Sequence, residues 1–287
     1  MRPAALTAKI FLDGADPAET QQALALLGFL DGQTTNPTLL AKNPAVNQRL
    51  AGGAKFTTEE LRDRYRTVVT EISALIPAGS VSVEVYADTN STAEAMRQEG
   101  REMYSWIPNA HIKFPTTTEG LRAAAQAARE GLRVNLTLCF SQEQAAAVYA
   151  ATKGAAPGQV YVSPFVGRLD DRGESGMDVI ANIIKMYRAG DGHVLVLTAS
   201  VRTLSHLYYA LALKSDIITA PLRVLSEWAQ TGLSLPPTDF AYNHGTLRRL
   251  PYQELDLNRP WQSFNLTHPL TARGLELFSN DWNDLID

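Results

Sequence analysis

Near the middle of the chain the sequence reads HIKF at residues 111–114, EGLRAAAQAAR at residues 119–129 and RVNLTL at residues 133–138. The first and last runs are short and largely apolar, as strands are, whereas the stretch between them consists mainly of good helix formers. Parallel strands need a crossover connection of this kind. The pattern therefore predicts a βαβ unit.

The same alternation extends in both directions along the 287 residues. Another helical stretch spans residues 142–151, and six more short apolar runs complete a set of eight predicted strands. Eight strands alternating with helices favour a closed (β/α)₈ TIM barrel, formed as one domain from residues 1–287, over an open doubly wound sheet. The six further strands lie at residues 9–12, 29–33, 81–85, 160–162, 193–197 and 217–219.

The alternation stops near the end of the chain. Residues 231–268 contain four prolines and no regular pattern. Such a length exceeds that of ordinary connecting loops, which predicts a late insertion or an intersubunit arm. Residues 269–287 resume a helical pattern whose apolar side chains should dock this C-terminal helix. The apolar positions are Leu270, Leu275, Leu277, Phe278 and Trp282.

The composition argues against polyanionic partners. The sequence has 26 Lys+Arg and 30 Asp+Glu, a formal net charge of −4, so neither nucleic acid nor an anionic membrane is expected as a partner. No run approaches the ~18 apolar residues of a membrane span, and no signal-like apolar run precedes Lys9. The single cysteine, Cys139, excludes an internal disulfide and suits a reducing compartment. We therefore expect a cytoplasmic protein.

Polar side chains stand at almost every predicted strand end. In a barrel these ends converge on one mouth, where the active sites of this fold lie. Each residue taken alone could instead cap a helix, form a turn or satisfy a polar neighbour. The positions are Asp13, Thr34, Thr35, Asn36, Glu84, Lys113, Asn135, Thr137, Ser163, Arg168, Ser200 and Arg202.

Lys113 is the least ordinary of these residues, because it is one of seven lysines and interrupts an apolar strand. Alternation places Ile112 and Phe114 on one face of the strand and Lys113 on the inward face. Desolvation lowers the pKa of a lysine, and a neutral amine can attack a carbonyl to form a Schiff base. A buried salt bridge to Glu84 or Asp13 explains the position equally well, and spacing alone leaves both interpretations open.

Glu84 and Asp13 supply two carboxylates on different strands. Such a pair can relay protons between water and a substrate hydroxyl. Thr137 could hold the water by its hydroxyl group, although threonine is common in strands for its β-propensity alone.

Arg168 and Arg202 follow the two late strands and stand beside small or hydroxyl residues. Loops in this part of a barrel often bind phosphate through guanidinium groups and backbone amides, which predicts a phosphorylated substrate. Salt bridges to Asp170, Asp171 or Glu174 are the alternative.

No metal or cofactor is predicted. The five histidines form no i, i+4 pair and no local ligand set, and the glycines form neither a GxGxxG nor a Walker pattern.

Seven short stretches, taken together and in order, resemble the transaldolase family, in its small-subunit branch that also includes fructose 6-phosphate aldolases. Each stretch is modest alone, but seven in register are specific. The sequence HPLT at residues 268–271 and the helix that follows also resemble the end of this branch. The seven are FLD at 11–13, TTNP at 34–37, VSVEV at 81–85, IKFP at 112–115, NLTL at 135–138, SPFVGR at 163–168 and ASVR at 199–202.

The resemblance implies a (β/α)₈ barrel that transfers a dihydroxyacetone unit between sugar phosphates in the pentose phosphate pathway. Fructose 6-phosphate or sedoheptulose 7-phosphate would be the donor, and an aldose phosphate the acceptor. It implies Lys113 as the Schiff-base lysine, Glu84 as an acid/base acting through a water held by Thr137, and Asp13 as the group that takes the hydroxyl proton. The implied substrate-binding residues are Asn36, Thr35, Asn135, Ser163, Phe165, Arg168, Ser200 and Arg202.

The nearest alternative is a fructose 6-phosphate aldolase, which releases free dihydroxyacetone. Those enzymes resemble transaldolases with glutamine, alanine and tyrosine at the positions of Glu84, Ser163 and Phe165, so this sequence favours transaldolase. A third possibility, of another class, is a catalytically silent barrel that binds sugar phosphates. The small-subunit likeness and the docked last helix also predict a homo-oligomer.

Overall fold

Eight parallel strands form a closed barrel in the computed structural model, which describes residues 2–287. Each strand pairs with its neighbours in chain order, and the first strand closes the barrel against the last. The predicted TIM barrel is confirmed. The strands are β1 (Lys9–Asp13), β2 (Gly32–Thr34), β3 (Ser80–Glu84), β4 (Ala110–Pro115), β5 (Val134–Cys139), β6 (Val160–Pro164), β7 (Val194–Thr198) and β8 (Ile217–Ala220).

Twelve α-helices occur in residues 2–287, and the helices predicted at 119–129 and 142–151 are confirmed. Within that range, no helix combines the length and the apolar character that a membrane crossing requires. The helices are α1 (Pro17–Leu27), α2 (Pro37–Ala41), α3 (Pro44–Ala51), α4 (Thr58–Leu75), α5 (Ala93–Tyr104), α6 (Thr118–Arg129), α7 (Gln142–Ala151), α8 (Val166–Asp170), α9 (Gly176–Tyr187), α10 (Leu204–Ala212), α11 (Leu222–Gln230) and α12 (Pro269–Asn283).

The second strand begins later than the pattern at residues 29–33 predicts. Helix α1 ends at Leu27 and is capped by Gly28, whose φ of 75° lies in the left-handed region that glycine adopts readily. The chain then passes Asp31, whose carboxylate accepts a hydrogen bond from the Ile10 backbone N at 2.8 Å. The Asp31 side chain thus accepts a hydrogen bond that a backbone carbonyl would accept in a regular parallel strand pair, and β2 starts only at Gly32.

Aromatic rings fill the amino-terminal end of the barrel. His111 of β4 stacks on Tyr161 of β6 with ring centroids 4.0 Å apart, and Phe11 of β1 meets Tyr161 edge-on at 6.3 Å. Burial lowers the pKa of His111 to about 3, so this ring is a neutral packing group. These stacked rings therefore fill the barrel interior at this end, and a cavity inside the barrel can open only toward the carboxyl ends of the strands.

Residues 231–268 are irregular, as predicted, apart from a 3₁₀ turn at Trp261–Ser263. Hydrogen bonds tie this segment to the outer helices of its own barrel. Gln142 of α7 donates to the Gln253 carbonyl at 2.7 Å, and Arg249 donates to the Asp178 carboxylate of α9 at 2.7 Å. The segment therefore extends the helical layer on one side of the barrel.

Helix α12 docks on the barrel mouth. Leu270, Leu275, Phe278 and Trp282 are buried, whereas Leu277 has 43% of its surface exposed. The prediction that Leu277 belongs to the docking face is wrong, because the helical twist turns this position toward solvent while its neighbour Phe278 points inward.

A pair of buried hydrogen bonds fixes the start of α12. The Thr271 hydroxyl donates to the Leu138 carbonyl of β5 at 2.9 Å and accepts from the Gln144 amide of α7 at 2.8 Å. The last helix is thereby joined to a strand whose carboxyl end reaches the barrel mouth.

We expect Thr271→Val to lower the free energy of unfolding by about 1–3 kcal/mol, because the substitution removes one buried hydrogen bond from the Leu138 carbonyl and one from the Gln144 amide. Thr70→Val on α4 is the matched control, since the exposed Thr70 hydroxyl bonds only to the Arg66 carbonyl of its own helix. Urea unfolding measures both variants. Equal effects in the two would show that the Thr271 hydroxyl does not secure α12.

Candidate active site

A cavity of about 160 Å³ opens among the carboxyl ends of the strands. This is the edge at which sites form in this fold. Most of the polar residues predicted from the sequence meet there, together with several that were not predicted. The lining residues are Asp13, Thr34, Asn36, Thr38, Leu39, Lys113, Thr137, Ser163, Phe165, Arg168, Ala199, Ser200, Thr219 and Phe278.

Lys113 lies in the wall of this cavity with 4% of its side chain exposed. The barrel register places it opposite Glu84 of β3 on one side and Asn135 of β5 on the other. Its Nζ lies 2.7 Å from Glu84 Oε2 and donates to the Thr35 carbonyl at 2.8 Å. The buried salt bridge and the cavity-facing amine, considered as alternatives above, occur together.

The neighbours of Lys113 along β4 point to the opposite face. A Cβ atom added at Gly100 of α5 would lie 2.9 Å from the Phe114 ring and 3.1 Å from Ile112. Helix α5 therefore needs glycine at this point to pack so closely on the outside of β4. This packing fixes which face of the strand is buried, and hence turns Lys113 into the barrel.

Both carboxyl groups near the amine have altered proton affinities. Burial raises the pKa of Glu84, against the opposing effect of the Lys113 charge. Burial likewise raises the pKa of Asp13, against the Lys113 charge and a 2.8 Å hydrogen bond that Thr34 donates to Asp13 Oδ1. Groups with raised pKa values keep a proton nearer to neutral pH, which suits acid–base work.

Thr137 presents a hydroxyl with no hydrogen-bond partner among residues 2–287, although the oxygen is buried. The strand is irregular at this point: the β5–β6 register shifts between Leu136 and Cys139, and Leu138 has a φ of 57°. Glu84 Oε2 makes no hydrogen bond in the same range beyond its ion pair with Lys113. Buried polar atoms of this kind are satisfied by bound water or by a ligand.

A chain of polar side chains orients the next part of the wall. Ser163 donates to Asn135 Oδ1 at 2.6 Å, and Asn135 Nδ2 donates to Ser82 Oγ at 3.1 Å. Ser163 lines the cavity, whereas Asn135 lies behind it. On the other side Asn36 lines the cavity while its Oδ1 accepts from the Leu39 backbone N at 2.9 Å, capping α2. The side-chain amide nitrogen of Asn36 can therefore donate a hydrogen bond to a ligand in the cavity.

Thr35 reaches the site only through its main chain. Its hydroxyl contacts Tyr65 Oη at 2.5 Å and donates to the Ser82 carbonyl at 2.8 Å, whereas its own carbonyl accepts from Lys113. Because Thr34 faces the cavity, its neighbour Thr35 must point the other way. We therefore propose for Thr35 the role of holding the lysine, not that of touching substrate with its side chain.

Arg168 lies between two aromatic rings at the cavity wall. Its guanidinium carbon is 5.2 Å from the Phe165 ring centroid and 5.1 Å from that of Phe278 on α12. Such stacking holds a guanidinium group in place while leaving its N–H edges available for an anion. Burial lowers the pKa of Arg168, Glu84 opposes this effect, and the charge of Arg202 adds to it.

Ser200 and Arg202 follow β7 but are placed differently. Ser200 lines the cavity and has a φ of 56°, a sparsely populated conformation for a residue with a side chain. Arg202 does not line the cavity, and its guanidinium group forms an ion pair with Asp171 instead. Of the alternatives that the sequence left open for the two arginines, a salt bridge thus holds for Arg202.

Helices α12 and α2 contribute to the site in a way that no sequence pattern indicated. Phe278 of α12 and Thr38 and Leu39 of α2 line the cavity, and the Thr38 hydroxyl donates to the Asp281 carboxylate to join the two helices. The apolar face of the last helix was visible in the sequence, but not the surface that it covers. Thr219 of β8 was missed because nothing in its short strand distinguishes it.

Within residues 2–287 no group of three or more His, Cys, Asp or Glu side chains is arranged to hold a metal ion. The histidines serve as packing or hydrogen-bonding groups where they are buried. His193, for instance, contacts the Thr152 hydroxyl at 3.2 Å and pairs with Asp191. Cys139 is buried, and burial raises its pKa to about 12, so it carries no thiolate at neutral pH.

The fold and the site define a single-barrel protein with a lysine–carboxylate pocket and an arginine at the carboxyl ends of its strands. The chain belongs to the transaldolase/fructose-6-phosphate aldolase family, whose model matches residues 10–287.

Relatives named "Probable transaldolase" match almost the whole chain. One from Anaeromyxobacter dehalogenans is 41% identical over 274 residues, and one from Roseiflexus castenholzii is 36% identical over 274 residues; each match covers 96% of both chains. One from Dehalococcoides mccartyi is 39% identical over 226 residues, covering 79% of this chain and 92% of that relative.

We expect Thr137→Val to leave the free energy of unfolding unchanged or slightly higher, because the hydroxyl that it removes bonds to no protein group. Thr116→Val is the matched control: the buried Thr116 hydroxyl donates to the Thr137 carbonyl at 2.7 Å, so its loss should cost about 1–3 kcal/mol. Chemical unfolding of both variants tests this. A loss at Thr137 as large as that at Thr116 would mean that its hydroxyl is already used by the protein.

Proposed function

We propose that the protein is a transaldolase that transfers a dihydroxyacetone unit from fructose 6-phosphate or sedoheptulose 7-phosphate to an aldose phosphate, a reaction of the pentose phosphate pathway. The observation that carries the proposal is the Lys113 amine, which faces a cavity it shares with Asp13 and lies 2.7 Å from Glu84. Burying a lysine costs free energy, and a chemical role for its nitrogen is a reason for the protein to retain it there.

The first step joins the amine to the substrate. Glu84 takes a proton from Lys113, and the free amine adds to the C2 carbonyl of the ketose to give a carbinolamine. Loss of the C2 hydroxyl as water then needs a proton donor. A water held by the unpartnered Thr137 hydroxyl and by Glu84 supplies that proton, and the product is a protonated Schiff base.

The second step breaks a carbon–carbon bond. Asp13 removes the proton from the C4 hydroxyl, the C3–C4 bond breaks, and an aldehyde leaves. The bonding electrons move into the Schiff base, so that a dihydroxyacetone enamine stays on Lys113. An incoming aldose phosphate reverses these steps: its aldehyde carbon is attacked by C3, and Asp13 returns the proton to the new hydroxyl. The raised pKa of Asp13 favours this exchange.

The substrate groups are matched by polar residues around the cavity. We assign the dihydroxyacetone hydroxyls to Asn36 and Ser163, with Asn135 holding Ser163 in position through their 2.6 Å hydrogen bond. The phosphate lies at the other end, at Arg168 and Ser200, with Arg202 beside them. Phe165 supports Arg168 from below by stacking.

The chief alternative within the family is a fructose 6-phosphate aldolase, which would release dihydroxyacetone to solution. Glu84, Ser163 and Phe165, the residues that separate the two activities in the sequence, all lie at or beside this cavity. A cytoplasmic location and a homo-oligomeric state stay predictions of the sequence.

Borohydride added in the presence of fructose 6-phosphate should trap a reduced dihydroxyacetone adduct on Lys113, because only a Schiff base is reduced to a stable amine under these conditions. Peptide mass spectrometry locates the adduct. Lys113→Met should abolish both labelling and transfer while keeping a native circular dichroism spectrum. Lys153→Met, which changes an exposed lysine, should label as fully as the unmodified protein. A folded wild-type protein that takes up no label would reject the mechanism.

Transfer should depend on an acceptor. We expect fructose 6-phosphate to be consumed at least about tenfold faster with erythrose 4-phosphate than without it. A bound enamine that is shielded from water is hydrolysed slowly, so turnover depends on its reaction with an aldehyde. Coupled assays of the released aldose phosphate and of free dihydroxyacetone measure the two rates. Equal rates with and without acceptor would identify an aldolase, and turnover in neither case, with substrate bound, would identify a silent binding barrel.

A further inference from the structure

The second arginine of the mouth is held by a carboxylate that the catalytic scheme does not use. Arg202 Nη2 lies 2.6 Å from Asp171 Oδ2, and Nη1 contacts Oδ1, so both ends of the carboxylate are engaged. Asp171 directly follows α8, the helix that carries Arg168 into the cavity. The two side chains of the pair are 44% and 55% exposed.

Held in this way, Arg202 stands beside the cavity but not in its wall. Its stem crosses the first turn of α8, where a Cβ atom added at Gly167 would lie 2.4 Å from Arg202 Nε. Burial lowers the pKa of Arg168, and the charge of Arg202 lowers it further. The contact with Asp171 therefore holds a guanidinium group that lies close to α8 but outside the cavity wall.

The main chain of Arg202 is fixed independently of its side chain. His206 Nδ1 accepts from the Arg202 backbone N at 3.3 Å, and His206 Nε2 lies 2.9 Å from Asp170 Oδ2. Arg223 donates to the Arg202 carbonyl at 2.6 Å. The backbone is therefore braced from both sides, and the long side chain can change partner without moving the loop.

We propose that Asp171 is a specificity-determining residue: it is the counter-anion that the phosphate of a substrate must displace from Arg202. The inference rests on the proposed function, which places a sugar phosphate at this end of the cavity. An exposed ion pair is weak, so a phosphate dianion can replace the carboxylate on the guanidinium fork. A neutral sugar cannot, and it meets a mouth in which Arg202 is already neutralised. Arg202 therefore becomes available to dianionic ligands and not to neutral ones.

Removal of the competing charge tests the proposal. We expect Asp171→Asn to lower the dissociation constant of inorganic phosphate, measured by calorimetry at fixed ionic strength, by about twofold to fivefold, the range that an exposed ion pair supports. The KM of fructose 6-phosphate should fall in parallel. Glu94→Gln is the control, because Glu94 is an exposed carboxylate that pairs with Arg97 on α5 and does not line the cavity, so its loss should leave phosphate binding unchanged.

A double-mutant cycle shows whether the effect acts through Arg202. In an Arg202→Met background, Asp171→Asn should no longer tighten phosphate binding by more than the control substitution does. An equal effect in both backgrounds would reduce Asp171 to a general surface charge and overturn the proposal. Weaker phosphate binding by Asp171→Asn alone would also overturn it, since Asp171 would then position Arg202 for the ligand.

The calorimetric measurement separates this proposal from the proposed function, because it needs no turnover. If the protein transfers dihydroxyacetone but the Asp171→Asn substitution does not change its phosphate affinity, the counter-anion proposal fails and the proposed function stands. If no Lys113 adduct forms but the Asp171→Asn variant binds phosphate more tightly, the counter-anion proposal stands and the transaldolase proposal fails. If neither the unmodified protein nor any of the variants binds phosphate, the counter-anion proposal is overturned.

Discussion

A lysine and a glutamate lie side by side in the wall of a closed barrel, 2.7 Å apart and almost entirely buried. The pairing of β3 with β4 sets Glu84 opposite Lys113, so the contact follows from strand register and needs no flexible loop. Burying two ionisable groups costs free energy that their attraction does not fully return. Such an arrangement is kept for what the two groups can do together, and in the function proposed above Glu84 accepts the proton of an amine that faces a cavity.

The rest of the molecule maintains this contact. Rings of His111 and Tyr161 close the barrel below the lysine, which leaves one direction of access. Above it, α12 completes the wall with Phe278, and Gly274 lets the helix approach closely: a Cβ atom there would lie 2.6 Å from Leu138 and 2.9 Å from Arg168. The last helix of the chain therefore belongs to the site as much as to the fold.

Charge at the mouth is arranged in two layers. The inner layer holds Lys113 beside Glu84 and Asp13, two carboxyl groups whose pKa values are raised by burial against the charge of the lysine. The outer layer holds Arg168 between two aromatic rings and Arg202 against Asp171. An inner layer sheltered from solvent suits covalent chemistry, and an exposed outer layer suits exchange of a phosphate-bearing ligand with solvent.

Local sequence pattern was enough to predict the eight βα units and the strand ends that carry Lys113 and Glu84, because the period of two along a strand and local helix propensity are properties of neighbouring residues. It could not place Thr35, whose side chain turns to Tyr65, nor distinguish the exposed Leu277 from the buried Phe278. The partner of each charged group and the surface that the last helix covers became known from the folded barrel. Those contacts join residues far apart in the chain, and their geometry is set by barrel closure and packing, not by local pattern.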